Sequence, residues 1–197
     1  MKFKFFGTRI YISFLFAAVI AFLLVIDRTG LVIPTLLAVL IHEIGHLLAM
    51  WAMECQPRQV RLVPASVQII RGFSKKKYGE TAIAVCGPAA NSVFFIVCLI
   101  WYSVSESRFA LQFSALNFII ALYNLLPVSG LDGGTILKNL LCSKMSPDKA
   151  EQIVRLTAFT LGVFAAIAGI FITITQQFNI SIYIVALYLI ITSVVKR

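Results

Sequence analysis

The chain has 197 residues, of which 60% are hydrophobic and 13% are charged, and its mean hydropathy is +0.94. A soluble domain is about 45–50% apolar and about 25% charged, so this composition excludes an ordinary soluble domain, a disordered chain, a coiled coil and a collagen. The formal net charge of +9 is high enough to suggest nucleic-acid binding. The positions of the basic residues along the chain indicate instead that the charge sets the membrane topology. The composition predicts a polytopic membrane protein.

Six apolar segments are read as membrane-spanning helices, since a helix needs about 20 apolar residues to cross the hydrocarbon core. Their approximate ranges are Ile10–Ile26, Leu31–Met53, Glu80–Tyr102, Leu111–Leu126, Leu156–Thr175 and Ile180–Val195. A short helix is expected over Leu131–Cys142, and Ser146 and Pro147 mark the start of another. We therefore expect an all-α polytopic membrane protein that forms one transmembrane domain over residues 1–197, with no separate soluble domain.

The basic residues indicate the orientation in the cell membrane, because cytoplasmic loops carry an excess of lysine and arginine. All but Arg28 and Arg108 of the 17 basic residues fall before span one or after spans two, four and six. Both termini are therefore predicted to be cytoplasmic. The positive charge serves topology and attraction to anionic lipid, so the lipid bilayer is the expected partner and nucleic acid is not.

The polar segment between spans two and three contains a stretch with the periodicity of β-structure. In Gln59–Arg71 the apolar residues recur near every second position, at Val60, Leu62, Val67 and Ile69. This pattern predicts a short β-hairpin or a re-entrant loop on the cytoplasmic side. Its strand edge could pair with an unwound substrate, or the basic loop could bind lipid headgroups, and the sequence does not decide between the two.

Span two carries three ionisable residues, His42, Glu43 and His46, in an H-E-x-x-H pattern. The two histidines are spaced i, i+4 and so project from one face of the helix, where both can bind one zinc ion while the glutamate acts as the general base of a metalloprotease. The pattern also occurs by chance in many proteins. Inside a bilayer, however, each ionisable residue is costly, which favours the functional interpretation.

A catalytic zinc site usually has three protein ligands, and the chain contains no third histidine. Asp132 is the candidate we favour, because it follows a helix break at Pro127 and Gly130 at the end of an apolar span, and broken helices at membrane depth line polar cavities. The alternative role for Asp132 is the N-cap of the following helix. Cys142 is a weaker candidate for the third ligand.

These motifs together resemble the site-2 protease family of intramembrane zinc metalloproteases. His42 to His46 is similar to the first family motif, Asn124 to Gly133 to the second (N-x-x-P-x-x-x-x-D-G), and Gly87 to Asn91 to a G-P-x-x-N element between them. The resemblance covers spans two to four, with a motif core of about residues 31–141 and a three-helix catalytic core. Ser129-Gly130 departs from the second motif, where relatives often have a proline.

The resemblance implies the roles of the site residues. His42, His46 and Asp132 would bind Zn²⁺, Glu43 would be the general base, and Asn124 would stabilise the oxyanion or hold substrate. For Asn124 a helix–helix hydrogen bond is an equal alternative, and for Asn91 and Asn117 a hydrogen bond across the bundle is favoured.

The compact layout resembles the sporulation-type, stage IV sporulation protein FB-like subgroup of the family. The implied substrate is a membrane-associated pro-sigma factor cleaved near the cytoplasmic face during sporulation, and membrane proteins that inhibit the enzyme are expected partners. The oligomeric state is open. Two other functions remain. One is a divalent-metal transporter, since histidine and carboxylate clusters also mark ion pathways, and the other is an inactive zinc-binding membrane scaffold.

Overall fold

The computed structural model describes residues 2–5, 8–55, 57–63, 66–71, 78–175 and 180–194. The helices of this described part are α1 Phe14–Ile26, α2 Val32–Ala52, α3 Gly79–Ser105, α4 Arg108–Asn124, α5 Asp132–Cys142, α6 Pro147–Thr175 and α7 Ile180–Val194. Its strands are β1 Lys2–Phe5, β2 Thr8–Ile12, β3 Pro57–Val63 and β4 Ser66–Arg71. The chain divides into two compact units, Met1–Tyr123 and Asn124–Arg197, which are described one at a time.

The strands of the first unit form one mixed sheet in the order β1-β2-β3-β4. β3 and β4 pair in antiparallel register from Pro57 opposite Arg71 to Val63 opposite Ser66, so the predicted β-hairpin is confirmed. β1 pairs with β2 in antiparallel and β2 with β3 in parallel register. The predicted start of the first span at Ile10 was wrong, because residues Thr8–Ile12 extend to pair with β3 and the helix begins only at Phe14.

Helix α2 packs against α3 through small residues that let the two backbones approach. A Cβ at Gly45 would clash with the carbonyl oxygen of Cys86 on α3, so glycine is required for this crossing, as is common where helices pack in membranes. On one side of the crossing lies a buried cluster that includes Met50 and Ile83, and on the other a cluster that includes Ala38 and Phe113. The central turns of α2 are thereby held against α3.

In the second unit, α6 packs closely on α7. A Cβ at Gly162 would lie 2.8 Å from Cγ1 of Ile190, and one at Gly169 would lie 3.1 Å from Cγ2 of Ile182. Near the start of α6, Glu151 accepts hydrogen bonds from Lys138 Nζ at 2.6 Å and from Arg155 Nη2 at 2.8 Å. The pair with Lys138 joins α5 to α6, whereas the pair with Arg155 lies within α6.

Three of the described helices, α2, α3 and α6, are long and apolar enough to cross a membrane. Helix α1 and residues 182–194 of α7 are apolar but shorter. Large apolar side chains remain exposed along these helices, among them Leu40, Phe94 and Phe164, as expected for surfaces that face lipid. The chain is therefore a membrane protein, while the count of six spans and the cytoplasmic termini stay predictions.

The turn between α1 and α2 is organised by one carboxylate. Oδ1 of Asp27 accepts hydrogen bonds from the backbone N–H groups of Thr29 and Gly30, and Oδ2 accepts one from Val32, the first residue of α2, at 3.0 Å. A carboxylate here satisfies an N–H that has no partner within the helix and interacts favourably with the helix dipole. The bond from Val32 is the main cause that lowers the pKa of Asp27 from 3.8 to about 2.

Because the pKa of Asp27 is lower in the folded chain, the carboxylate stabilises the fold above about pH 4, and this contribution is lost as the pH falls towards 2. We therefore expect Asp27→Asn to lower the melting temperature in detergent at pH 7, and the difference from wild type to shrink between pH 4 and pH 2. Asp148→Asn, which removes an exposed carboxylate elsewhere, is the control. A difference that is independent of pH would contradict this account of the turn.

Candidate metal centre

His42 and His46 lie one turn apart on the face of α2 that packs against α3. Both are buried, with relative exposures of 5% and 9%. Their Nε2 atoms are 3.0 Å apart and their ring planes are nearly perpendicular, at 84°. The predicted histidine pair is therefore brought together with two ring nitrogens converging on one point.

The hydrogen-bond partner of Nδ1 fixes the tautomer of each imidazole. Nδ1 of His46 lies 2.8 Å from the backbone carbonyl oxygen of Ile83, which can only accept, so His46 carries its proton on Nδ1. Nδ1 of His42 lies 2.8 Å from Oδ1 of Asn91. The amide of Asn91 is oriented by Ala38, whose carbonyl accepts from Nδ2 at 2.9 Å, so Oδ1 faces His42 and accepts its Nδ1 proton.

It follows that both Nε2 atoms present lone pairs to each other at 3.0 Å. Both lone pairs can therefore be donated to one cation. In a tetrahedral zinc site with Zn–N bonds of 2.0–2.1 Å, two ligand nitrogens lie about 3.3 Å apart. Histidine ligands of zinc also typically donate their other N–H to a carbonyl or carboxylate. The geometry and the donor chemistry of the pair therefore fit a zinc ion.

Gly87 on α3 forms the wall against which the two imidazoles pack. A Cβ at this position would clash with Nε2 and Cε1 of His46 and would lie 2.9 Å from Cε1 of His42. No side chain larger than that of glycine fits here unless the imidazoles move. The G-P-x-x-N element therefore serves the metal site at two positions, with Gly87 making room for the rings and Asn91 orienting one of them.

Glu43 is half-buried on α2 directly after His42, as the helix assignment predicts. Asn124 is the last residue of α4 and is half-buried. Its assignment as a group that stabilises the oxyanion or holds substrate stays a prediction.

Asp132 is the first residue of α5, and the N-cap position is taken by Leu131. The alternative in which Asp132 is the N-cap was therefore wrong, since the helical backbone already begins at this residue. Asp132 lies in the second unit and the two histidines in the first, and the assignment of Asp132 as the third metal ligand stays a prediction. Cys142, the weaker candidate, is exposed at the end of α5.

The loop before Asp132 packs tightly on the first turn of α5. A Cβ at Gly133 would clash with the carbonyl of Leu125, and one at Gly134 with that of Val128. The hydroxyl of Thr157 on α6 donates to the carbonyl of Pro127 at 2.8 Å. The glycine pair and this hydrogen bond together hold the segment that presents Asp132.

Sequence reasoning missed two of the groups that support the histidines. The carbonyl of Ile83 could not be predicted as a partner from the sequence, because every residue has a backbone carbonyl. Asn91 was expected to bond across the bundle, which is confirmed, but its bond to a candidate metal ligand was not foreseen. The signal that could have found it was the position of Asn91 in the G-P-x-x-N element.

The chain is similar in sequence to known metalloproteases. The sequence model described as Peptidase family M50 matches residues 103–166. The chain is 26% identical to a zinc metalloprotease of Methanocaldococcus jannaschii over 77% of this chain and 44% of that protein. It is 28% identical to stage IV sporulation protein FB of Bacillus subtilis over 78% of this chain and 54% of that protein. The chain thus spans about half the length of these curated relatives.

The fold is similar to that of a solved structure, a site-2 protease from Methanocaldococcus jannaschii. The TM-score is 0.71 at 24% sequence identity, and the match covers 100% of this chain and 97% of that chain. At this level of identity the likeness shows a shared fold. With a zinc metalloprotease among the relatives and the histidine pair described above, zinc is the cofactor that the residues fit.

We expect Gly87→Ala to weaken zinc binding by at least about tenfold, because the added methyl group displaces the imidazoles from their converging positions. The measurement is the zinc dissociation constant of the detergent-solubilised protein, by competition with a chromophoric chelator. Gly169→Ala, which adds the same group where α6 faces α7, is the matched control and should bind zinc as wild type does. Wild-type affinity in Gly87→Ala would contradict the packing described for the two rings.

Proposed function

We propose that this chain is a member of the site-2 protease family of peptidase M50 and a zinc metalloprotease that hydrolyses a peptide bond of a membrane-associated protein, a proposal that the similarities to zinc metalloproteases support. The observation that carries the proposal is the pair of buried imidazoles, whose lone pairs converge at 3.0 Å, with a glutamate next to them on an apolar helix. A protease of this type needs a metal site and a proton acceptor together, and α2 supplies both.

In this proposal His42, His46 and Asp132 hold the zinc ion. When bound, zinc supplies Lewis acidity, which polarises the scissile carbonyl and makes water more acidic. Glu43 accepts the proton of the attacking water and then donates it to the leaving amine. The side-chain amide of Asn124 donates to the developing oxyanion or to the substrate backbone.

The alternative functions explain less of the site. A divalent-metal transporter needs ligands, but it has no use for a glutamate directly after the first histidine. An inactive scaffold would use the zinc ligands but not Glu43. The half-buried carboxylate in the middle of an apolar helix is costly to retain without a role, which favours hydrolysis.

The active site would be reached from the cytoplasm. Ala52, the last residue of α2, lies ten positions after His42, which corresponds to about 15 Å at 1.5 Å per residue. Water must therefore enter through a cavity, and the proposal places its opening on the cytoplasmic side, where the predicted topology puts the end of α2. Cleavage there releases a product to the cytoplasm.

The similarity to stage IV sporulation protein FB supports a sporulation role with a membrane-associated pro-sigma factor as the substrate, held in check by membrane inhibitor proteins. β4 is an edge strand of the sheet, so the β3–β4 hairpin could pair with an unwound segment of such a substrate. Pairing would matter because a peptide bond within a helix is shielded by its own hydrogen bonds.

Glu43→Gln should reduce cleavage of a co-expressed pro-sigma factor by about 10²- to 10⁴-fold, because the amide cannot accept the proton of the attacking water. The zinc content should stay that of wild type. Cleavage is read from the size of the substrate on a gel, and Glu106→Gln, an exposed glutamate after α3, is the control. Undiminished cleavage by Glu43→Gln would rule out the mechanism.

Asp132→Ala should lower the zinc content of the purified protein and abolish cleavage, because two imidazoles alone make an incomplete site. Zinc is measured by elemental analysis after dialysis against a weak chelator. Asp148→Ala, an exposed aspartate at the start of α6, should retain the metal. If Asp132→Ala binds zinc with wild-type affinity, Asp132 is not the third ligand.

A further inference from the structure

A chain of buried side-chain amides leads away from His42. Nδ1 of His42 meets Oδ1 of Asn91 at 2.8 Å, and Nδ2 of Asn91 meets Oδ1 of Asn117 at 2.8 Å. Nδ2 of Asn117 in turn donates to the carbonyl of Phe113 at 2.8 Å. The relative exposure of both asparagines is 0%. The chain of hydrogen bonds therefore joins α2, α3 and α4 inside the first unit.

The direction of each hydrogen bond is determined by groups that can only accept. The carbonyl of Phe113 requires the NH₂ group of Asn117 to face it, so Oδ1 of Asn117 faces Asn91. The carbonyl of Ala38 requires the NH₂ group of Asn91, whose two protons are then both used. Oδ1 of Asn91 is left to accept from His42. Rotating the Asn91 amide by 180° would set its oxygen against the carbonyl of Ala38 and against Oδ1 of Asn117. Rotating the Asn117 amide would set its oxygen against the carbonyl of Phe113 and its NH₂ group against that of Asn91.

Asn91 forms hydrogen bonds with α2 at two points one turn apart. It donates to the carbonyl of Ala38 and accepts from the ring of His42, four residues later. A buried amide in an apolar bundle is costly unless its polar atoms form hydrogen bonds. Both N–H protons of the Asn91 side chain are hydrogen-bonded. Apolar side chains could fill the same space, but they could not accept a proton from an imidazole.

We propose that Asn91 and Asn117 are positioning residues of the metal centre. Asn91 holds His42 as the Nδ1–H tautomer with Nε2 directed at the metal, and Asn117 acts through Asn91 by fixing the orientation of its amide. The inference rests on the zinc site of the proposed function but not on proteolysis, so a zinc-binding transporter or scaffold would need the two asparagines equally.

His46 is the internal reference for this proposal, because its Nδ1 proton goes to the backbone carbonyl of Ile83 and should not depend on either asparagine. The chain contains only two histidines. Selective ¹⁵N-histidine labelling of the zinc-loaded protein in detergent therefore gives ring signals from His42 and His46 alone. The two sets of signals are assigned by recording the spectrum of a variant that lacks one histidine, in which one set is lost.

We expect the Nδ1–H protons of both histidines to exchange slowly with solvent in the wild-type protein. In Asn91→Leu, exchange at His42 should become faster and its Nδ1 signal should shift, while His46 is unchanged. Ser114→Ala, which removes a buried hydroxyl of α4 that bonds to Leu111, is the control and should alter neither ring. Equal changes at both histidines, or none at either, would overturn the proposal.

Zinc affinity gives a second readout. Asn91→Leu should weaken zinc binding by about 10- to 100-fold, the usual effect of removing a partner that orients a metal ligand. Asn117→Leu should weaken it by a smaller factor, and the double variant should be no weaker than Asn91→Leu, because the two residues act in series. Additive losses would show that Asn117 does not act through Asn91, and wild-type affinity in Asn91→Leu would refute the positioning role.

Asn91→Asp separates the two tasks of Asn91. An aspartate keeps an oxygen that accepts from His42 but offers no N–H to Ala38 or Asn117. It should bind zinc more tightly than Asn91→Leu while melting at a lower temperature than wild type. If the aspartate and leucine variants bind zinc equally weakly, the residue only supports the packing of the helices. None of these measurements uses proteolysis, so their failure is distinguishable from failure of the proposed function.

Discussion

Two imidazole lone pairs facing each other inside an apolar helix bundle are the constraint around which the first unit is organised. The two Nε2 atoms lie 3.0 Å apart, so that one metal ion can bind to both. The tautomers that produce this arrangement are imposed from outside the pair, by the carbonyl of Ile83 and the amide of Asn91. The contacts with Ile83 and Asn91 therefore hold both rings in the form in which Nε2 can bind a metal ion.

Small residues in each unit set the backbone positions of the candidate ligands. Gly45 lets α2 approach the backbone of α3, and Gly87 leaves the space that the two rings fill. In the second unit, Gly133 and Gly134 let the loop after α4 fold onto the start of α5, where Asp132 stands. Close backbone packing determines the positions of the candidate ligands, and hydrogen bonds determine the orientation of the imidazole rings.

Much of the site could be predicted from the sequence, because the cost of ionisable residues in an apolar span made His42, Glu43 and His46 stand out. The β3–β4 hairpin was visible from its period of two. The strands of residues 2–12 were not, because β2 is held by parallel pairing with β3 about 50 residues away, and such a contact has no local signal. The tertiary partners of the histidines, Ile83 and Asn91, were hidden for the same reason.

The central claim is that two imidazoles and a carboxylate hold a zinc ion, and X-ray absorption at the zinc edge of the purified wild-type protein tests it most directly. The account predicts a first shell of nitrogen and oxygen atoms at about 2.0–2.2 Å, with the multiple-scattering pattern of two imidazoles and no sulfur. A sulfur shell at about 2.3 Å, which would place one of the four cysteines on the metal, or the absence of imidazole scattering, would contradict it.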